Sequence, residues 1–111
     1  MAAIPKAEWK SFSDRVSKTL EGKHAEIEVA SLKLGDQIQA EWTALIGVSY
    51  DPKDDLIEVA LEGLDHLIHH PRELHVEEGP QGVVTLAVLD EDENRHIVRF
   101  KDPLMLQSSR G

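Results

Sequence analysis

The sequence predicts an α+β fold: an N-terminal amphipathic helix packed on a mostly antiparallel sheet of about six strands, for which a barrel-like form is one outcome. Three observations lead there. Apolar residues recur at helical spacing over residues 5–21 and then switch to period two from residue 24 onward. The stretches between the period-two runs are also too short for the crossovers that parallel strands require.

The helix comes first. Pro5 suits the first helical position, where its missing N–H is no loss. Trp9, Phe12, Val16 and Leu20 follow at spacings of three, four and four and so share one face, with Lys10, Asp14, Arg15, Lys18 and Glu21 around the rest. Gly22 supplies the left-handed residue that closes helices, and Lys18 and Lys23 sit near the negative end of the dipole. The apolar stripe needs a dock, and the chain's own sheet supplies one in the even-numbered face of Ile38 to Tyr50.

In the first strand Ala25, Ile27 and Val29 alternate with His24, Glu26 and Glu28. At Ala30 to Leu34 the apolar parity flips, which implies a bulge or a break in pairing, and Gly35-Asp36 marks a turn. Ile38, Ala40, Trp42, Ala44, Ile46, Val48 and Tyr50 then occupy every even position, the cleanest alternation in the chain, and assign Trp42 to the core. Asp51 to Asp55 is a turn by composition, and Ile57, Val59 and Leu61 complete a hairpin arm. After Gly63, the spacing of Leu64, Leu67 and Ile68 ahead of Pro71 predicts a short helical turn near residues 64–70. Leu74 and Val76 form a short strand. Gly79 to Gly82 turns the chain into Val83 to Leu89, which is apolar on both faces and therefore central. Asp90 to Asn94 is a charged hairpin loop, His96 to Phe100 returns, and Pro103 closes the fold, with Leu104 to Leu106 tucking back. The expected organisation is one domain over 1–111, with the helix at 5–21, the antiparallel region at 24–101 and a frayed tail at 107–111.

Composition narrows the setting. A chain of 111 residues has room for one domain, and 41% hydrophobic against 30% charged residues is a globular balance rather than a disordered one. No apolar run approaches the roughly 20 residues of a membrane span, and Lys6, Glu8 and Lys10 interrupt anything like a secretory leader. The absence of cysteine removes disulfides, thiolate metal sites and thiol nucleophiles, and fits a cytoplasmic setting. Twelve basic residues against 21 acidic ones leave a net charge of −9. Such a chain repels phosphate, which argues against nucleic acid and anionic membranes as partners.

The densest chemistry is the run Asp65-His66-Leu67-Ile68-His69-His70-Pro71-Arg72-Glu73-Leu74-His75. On a helical turn His66 would share a face with His69 or His70, a spacing that zinc sites use. A third ligand is then needed, and Asp65, Glu73, His24 or His96 could provide it. The pairing of histidine ligands with a general-base glutamate seen in HExxH is absent, since Leu67 follows His66. The plainer reading is a surface turn with solvated histidines. No catalytic, cofactor-binding or metal-binding residue is assigned and no cofactor is expected. His66, His69, His70, Asp65 and Glu73 stand as a candidate surface site, pH-responsive or partner-binding. Asp90, Asp92 and Asn94 match the first three ligand positions of a calcium loop, but Arg95 replaces its glycine and Lys101 its bidentate glutamate. Arg72, Arg95 and Arg99 are placed to pair with carboxylates across strands. No phosphate-binding glycine loop or nucleophile elbow is present.

Leu34-Gly35-Asp36-Gln37 through Glu41-Trp42, Leu45 through Asp55 and Leu64 through Glu73, together with Trp9, Phe12 and Arg99-Phe100, make the chain similar to a bacterial family of small proteins, the domain of unknown function 5335 family. The resemblance covers roughly residues 7–106. It implies a bacterial, stand-alone, single-domain protein and brings no assigned activity. The functional expectation is a non-enzymatic interaction or accessory domain, acting on a protein partner or as a homodimer through a sheet face, a strand edge or the histidine turn. The alternatives are a small metal-dependent or acid–base enzyme using His66, His69 or His70, and small-ligand binding within the sheet.

Overall fold

The computed structural model describes residues 1–106, so the predicted frayed tail at 107–111 lies outside the described residues. The predicted helix is present in shorter form. A 3-10 turn at Lys6–Glu8 leads into α1 (Trp9–Ser17). The chain leaves the helix at Lys18, where the Thr19 hydroxyl bonds back to the Val16 carbonyl at 2.7 Å. The stripe survives this shortening, because Trp9, Phe12 and Val16 are buried on α1 and Leu20 is buried just beyond it. Trp9 is held at both ends of its ring system. Its indole N–H donates to the Ile4 carbonyl at 2.8 Å, and it meets Tyr50 edge-on at 5.1 Å. Among the described residues no helix is long and apolar enough to cross a membrane.

The strands are β1 (Ala2–Ala3), β2 (His24–Ser31), β3 (Gly35–Asp51), β4 (Leu56–Leu61), β5 (Leu64–His69), β6 (Pro71–Gly79), β7 (Gly82–Asp90) and β8 (Arg95–Leu104). They form one antiparallel sheet in the order β1-β6-β7-β8-β2-β3-β4-β5. Eight strands therefore replace the expected six or so, and β1 and β5 are the additions. The sheet is curled but open: β5 and β6 are joined through His70 yet stand far apart in the strand order. The barrel-like outcome is not the one adopted.

The 17-residue β3 makes the curl, pairing with β2 along its first half and with β4 along its second. Its register slips opposite Ala25–Ile27 and Ile27–Glu28 and again between Leu45 and Gly47, and Trp42 adopts a left-handed φ of 45°. Each slip swaps the face that later side chains occupy. The even-numbered face of Ile38 to Tyr50 consequently does not form one dock. Ala40, Val48 and Tyr50 turn inward with Leu45, whereas Ile38, Trp42 and Ile46 are exposed. The helix docks against the second half of β3, where the Ser17 hydroxyl accepts from Val48 N–H at 2.9 Å and donates to the Val48 carbonyl. Parity at Ala30 to Leu34 changes for a simpler reason than a bulge, since Leu32 and Leu34 lie in the exposed turn before Gly35.

Residues 64–69 are extended, not helical, and His70 forms a bend after them. Gly63, at φ 79°, reverses the chain so that Leu61 pairs with Leu64, and the ladder continues without a slip to Leu56 and His69. In the strand Leu64 and Leu67 fall on opposite faces, so the tight turn at Gly63 overrides their helical spacing. The central strand reading of Val83 to Leu89 holds: β7 lies between β6 and β8, with Val83, Leu86 and Val88 buried. Pro103 lies within β8, whose last residue, Leu104, is fully buried. Gly82, at φ 134°, lets the end of β8 approach, because a Cβ there would collide with the Leu104 carbonyl.

Candidate functional site

Because β5 is a strand, alternation scatters the predicted cluster. His66 turns inward and is half-buried, while Asp65 and His69 are exposed. His70 occupies the corner between β5 and β6 at φ 52°. Glu73 leaves the group altogether and bonds His75 at 2.8 Å. The five candidates do not converge, and among the described residues no three histidines or carboxylates gather as a metal centre would require.

The structure instead joins His66 to two residues that sequence spacing keeps apart. Its Nε2 lies 2.9 Å from His96 Nδ1, and His96 Nε2 lies 2.9 Å from Asp90 Oδ2. One direction follows from the acid. An ionised Asp90 can only accept, so His96 donates from Nε2, and the tautomers of the two rings set which nitrogen donates between His96 Nδ1 and His66 Nε2. Asp90 Oδ1 also accepts from the N–H groups of Asp92 and Asn94, both at 2.9 Å, while Asn94 Nδ2 donates to Oδ2 at 3.1 Å. Burial raises the Asp90 carboxyl, but the hydrogen bonds from His96 and from Asn94 outweigh that and hold it below the usual carboxylate value. Burial, aided by the neighbouring His96, pushes His66 down to about 4. The hairpin loop Asp90–Asn94 is thus a turn closed around a buried carboxylate, and it holds its oxygens on amides rather than presenting them to calcium.

A second group lies where the β3–β4 turn meets the β5–β6 corner. Tyr50 donates to Asp55 Oδ1 at 2.8 Å, Lys6 Nζ lies 3.2 Å from the same oxygen, and His70 Nδ1 lies 3.6 Å from Oδ2. The His70 N–H also donates to the Asp55 carbonyl at 2.9 Å. Burial and the adjacent carboxylate push Tyr50 up to about 12. The hydrogen bond from Tyr50, with Lys6 and His70 behind it, keeps Asp55 low.

Both groups bond mainly within themselves. Among the described residues every buried side-chain nitrogen or oxygen has a partner. Among the described residues no hydroxyl is bonded to His66 or His96 that either could activate. On the outer face of the sheet a cleft of about 400 Å³ is lined by His75, Thr85, Arg95, Ile97 and Arg99. Its charges are largely matched already, Arg99 to Glu28 at 2.8 Å and Glu26 at 3.1 Å, and His75 to Glu73. Arg99 is the member of the predicted arginine set that makes its cross-strand pair.

What remains unsatisfied is apolar. Ile38, Trp42 and Ile46 on β3 are 48%, 44% and 65% exposed, and Leu32 and Leu34 at the β2–β3 tip are more so. Leu64 and Leu67 are exposed on β5, and β4 is the strand partner of β5 on one side only. The His96 position was legible in part, since it shares parity with Val98 and Phe100 and must point into the core. No local signal named His66 as its partner.

Comparison with known proteins agrees on kinship. The model of a family of unknown function, DUF5335, matches residues 1–109. A protein of Aquifex aeolicus (strain VF5), described as uncharacterized, is 42% identical over 105 residues, covering 94% of this chain and 95% of its own. No solved structure matches.

Proposed function

The chain belongs to the DUF5335 family, and we propose that it is a non-enzymatic interaction domain which binds a protein through the exposed apolar residues of β3 and the open end of the sheet beyond them. One observation carries this reading. Ile38, Trp42 and Ile46, which strand alternation assigns to the core, stand in solvent, and the sole α-helix among the described residues is fully engaged inside. Exposed large apolar groups on a chain of net charge −9 are a cost unless something covers them. Tryptophan side chains in particular provide much of the free energy of protein interfaces. The histidine network supports the same view from the other side. His96 is held on both ring nitrogens, and the network links the two halves of the curled sheet, which suits a scaffold better than a catalyst.

The test is capture from the native host with immobilised protein, followed by reconstitution of any retained protein with the purified chain. Binding should fall at least about tenfold in a Trp42→Ser/Ile46→Ser variant whose thermal unfolding is unchanged, since losing two such anchors removes more than 1.4 kcal/mol. Equal binding by the variant, or no purified partner that binds, defeats the proposal.

A further inference from the structure

The two edges of the sheet are finished differently, and we infer that the β5 edge pairs with the β5 edge of a second copy of this chain. The inference rests on the interaction-domain reading and names one partner. On the opposite side of the sheet β6 is shielded. β1 pairs with His75 and Val76, the Ile4 N–H donates to the Leu74 carbonyl at 2.8 Å, and the strand opens with Pro71. Those are the usual protections of a strand edge.

Among the described residues β5 has none of them. Its six residues, Leu64-Asp65-His66-Leu67-Ile68-His69, include no proline, lysine or glycine. Its ladder with β4 runs without a bulge that would twist the edge away. Every second residue of β5 therefore holds its N–H and C=O away from β4, in a row matching what an added strand needs. Leu64 and Leu67 are 38% and 43% exposed, and Asp65 and His69 are exposed beside them.

The side chains choose the occupant. In an antiparallel pairing of two β5 strands with Leu67 on the two-fold axis, Leu67 meets the second copy's Leu67. Asp65 then lies opposite the second copy's His69, and the symmetry repeats that contact. Apolar against apolar and carboxylate against imidazole are favourable cross-strand pairs, and the interface is isologous, as a two-fold dimer requires. Moving the axis one residue toward the N-terminus sets Asp65 against Leu67 and faces His66 with itself, although His66 is already committed to His96. The Leu67 register is the complementary one. A six-residue edge is small for an interface, so the dimer is in concentration-dependent equilibrium with the monomer.

The chain has no cysteine, which makes the test clean. A Leu67→Cys variant carries its only thiol on the axis, where two sulfurs come within disulfide reach. Lys53→Cys, on the exposed β3–β4 turn, is the control. Under mild oxidation Leu67→Cys should cross-link at least about tenfold faster than Lys53→Cys at equal concentration. Light scattering of the unmodified chain should show a monomer–dimer equilibrium, shifted to monomer by Asp65→Lys and recovered by the charge exchange Asp65→His/His69→Asp. A strict monomer whose two cysteine variants cross-link equally overturns the inference. So does a dimer indifferent to Asp65→Lys. Either failure leaves the wider reading to be judged by the Trp42/Ile46 capture, which does not involve β5 self-pairing.

Discussion

Acidification should destabilise this protein through His66, and the size of the effect can be worked from its surroundings. The ordinary imidazole value is 6.5, and in the folded chain His66 is held near 4 by burial first and His96 second. Because the folded value lies below the unfolded one, the unfolded chain takes up the proton first as the pH falls. The contribution of His66 is whole above pH 6.5, erodes between 6.5 and about 4, and is gone below that. A shift of that size corresponds to a ceiling of roughly 3 kcal/mol at 1.36 kcal/mol per unit, and partial solvent access reduces it to about 1–2 kcal/mol. Urea unfolding of the wild type and of His66→Gln, followed from neutral pH to about 4, isolates this share, because the carboxylates titrate alike in both. The wild-type curve should fall more steeply by that amount, and the His66 ring protons should titrate near 4 in the NMR spectrum. A His66 midpoint near 6.5, or parallel stability curves for the two proteins, would refute the burial of His66 beside His96.

Three further outcomes follow from the same structure. Tyr50 is the only tyrosine, so its phenolate absorbance reports one group; its midpoint should lie near 12 and move toward 10 in Asp55→Ala, which removes the adjacent carboxylate. Gly82→Ala should cost about 2–3 kcal/mol in chemical denaturation, since the substitution combines a collision at the Leu104 carbonyl with a φ of 134° that alanine resists. Acrylamide quenching should divide the fluorescence of the two tryptophans into an accessible part from Trp42, 44% exposed, and a protected part from Trp9, 1% exposed, and Trp42→Phe should leave only the protected part.

Legibility in the sequence followed the range of the interactions. The helix stripe needed only the 3.6-residue period, and Trp9, Phe12, Val16 and Leu20 are all buried as that period requires. The turns at Asp51 to Asp55, Gly79 to Gly82 and Asp90 to Asn94 announced themselves through residues whose own backbones favour reversal. Residues 64–70 mislead because seven residues are too few to separate the two periods. The evidence that decided them was the pairing of Leu61 with Leu64 across Gly63. Of the candidate site, the histidines were visible but their partners were not: thirty residues separate His66 from His96, and their contact exists only because the sheet curls.

The amino-acid sequence by itself thus determined the helix, the antiparallel class, the net negative charge and the absence of thiol chemistry, all of which are properties of single residues or of neighbours along the chain. Tertiary structure alone decided which face of β3 is core, which strand ends the sheet, and which histidine meets Asp90 through His96. The physical reason is that a one-residue slip in β3 reverses every later side chain. Alternation records the period of a strand but carries no mark of where its register shifts, so Ile38, Trp42 and Ile46 look like core until the bulges are seen to turn them toward solvent.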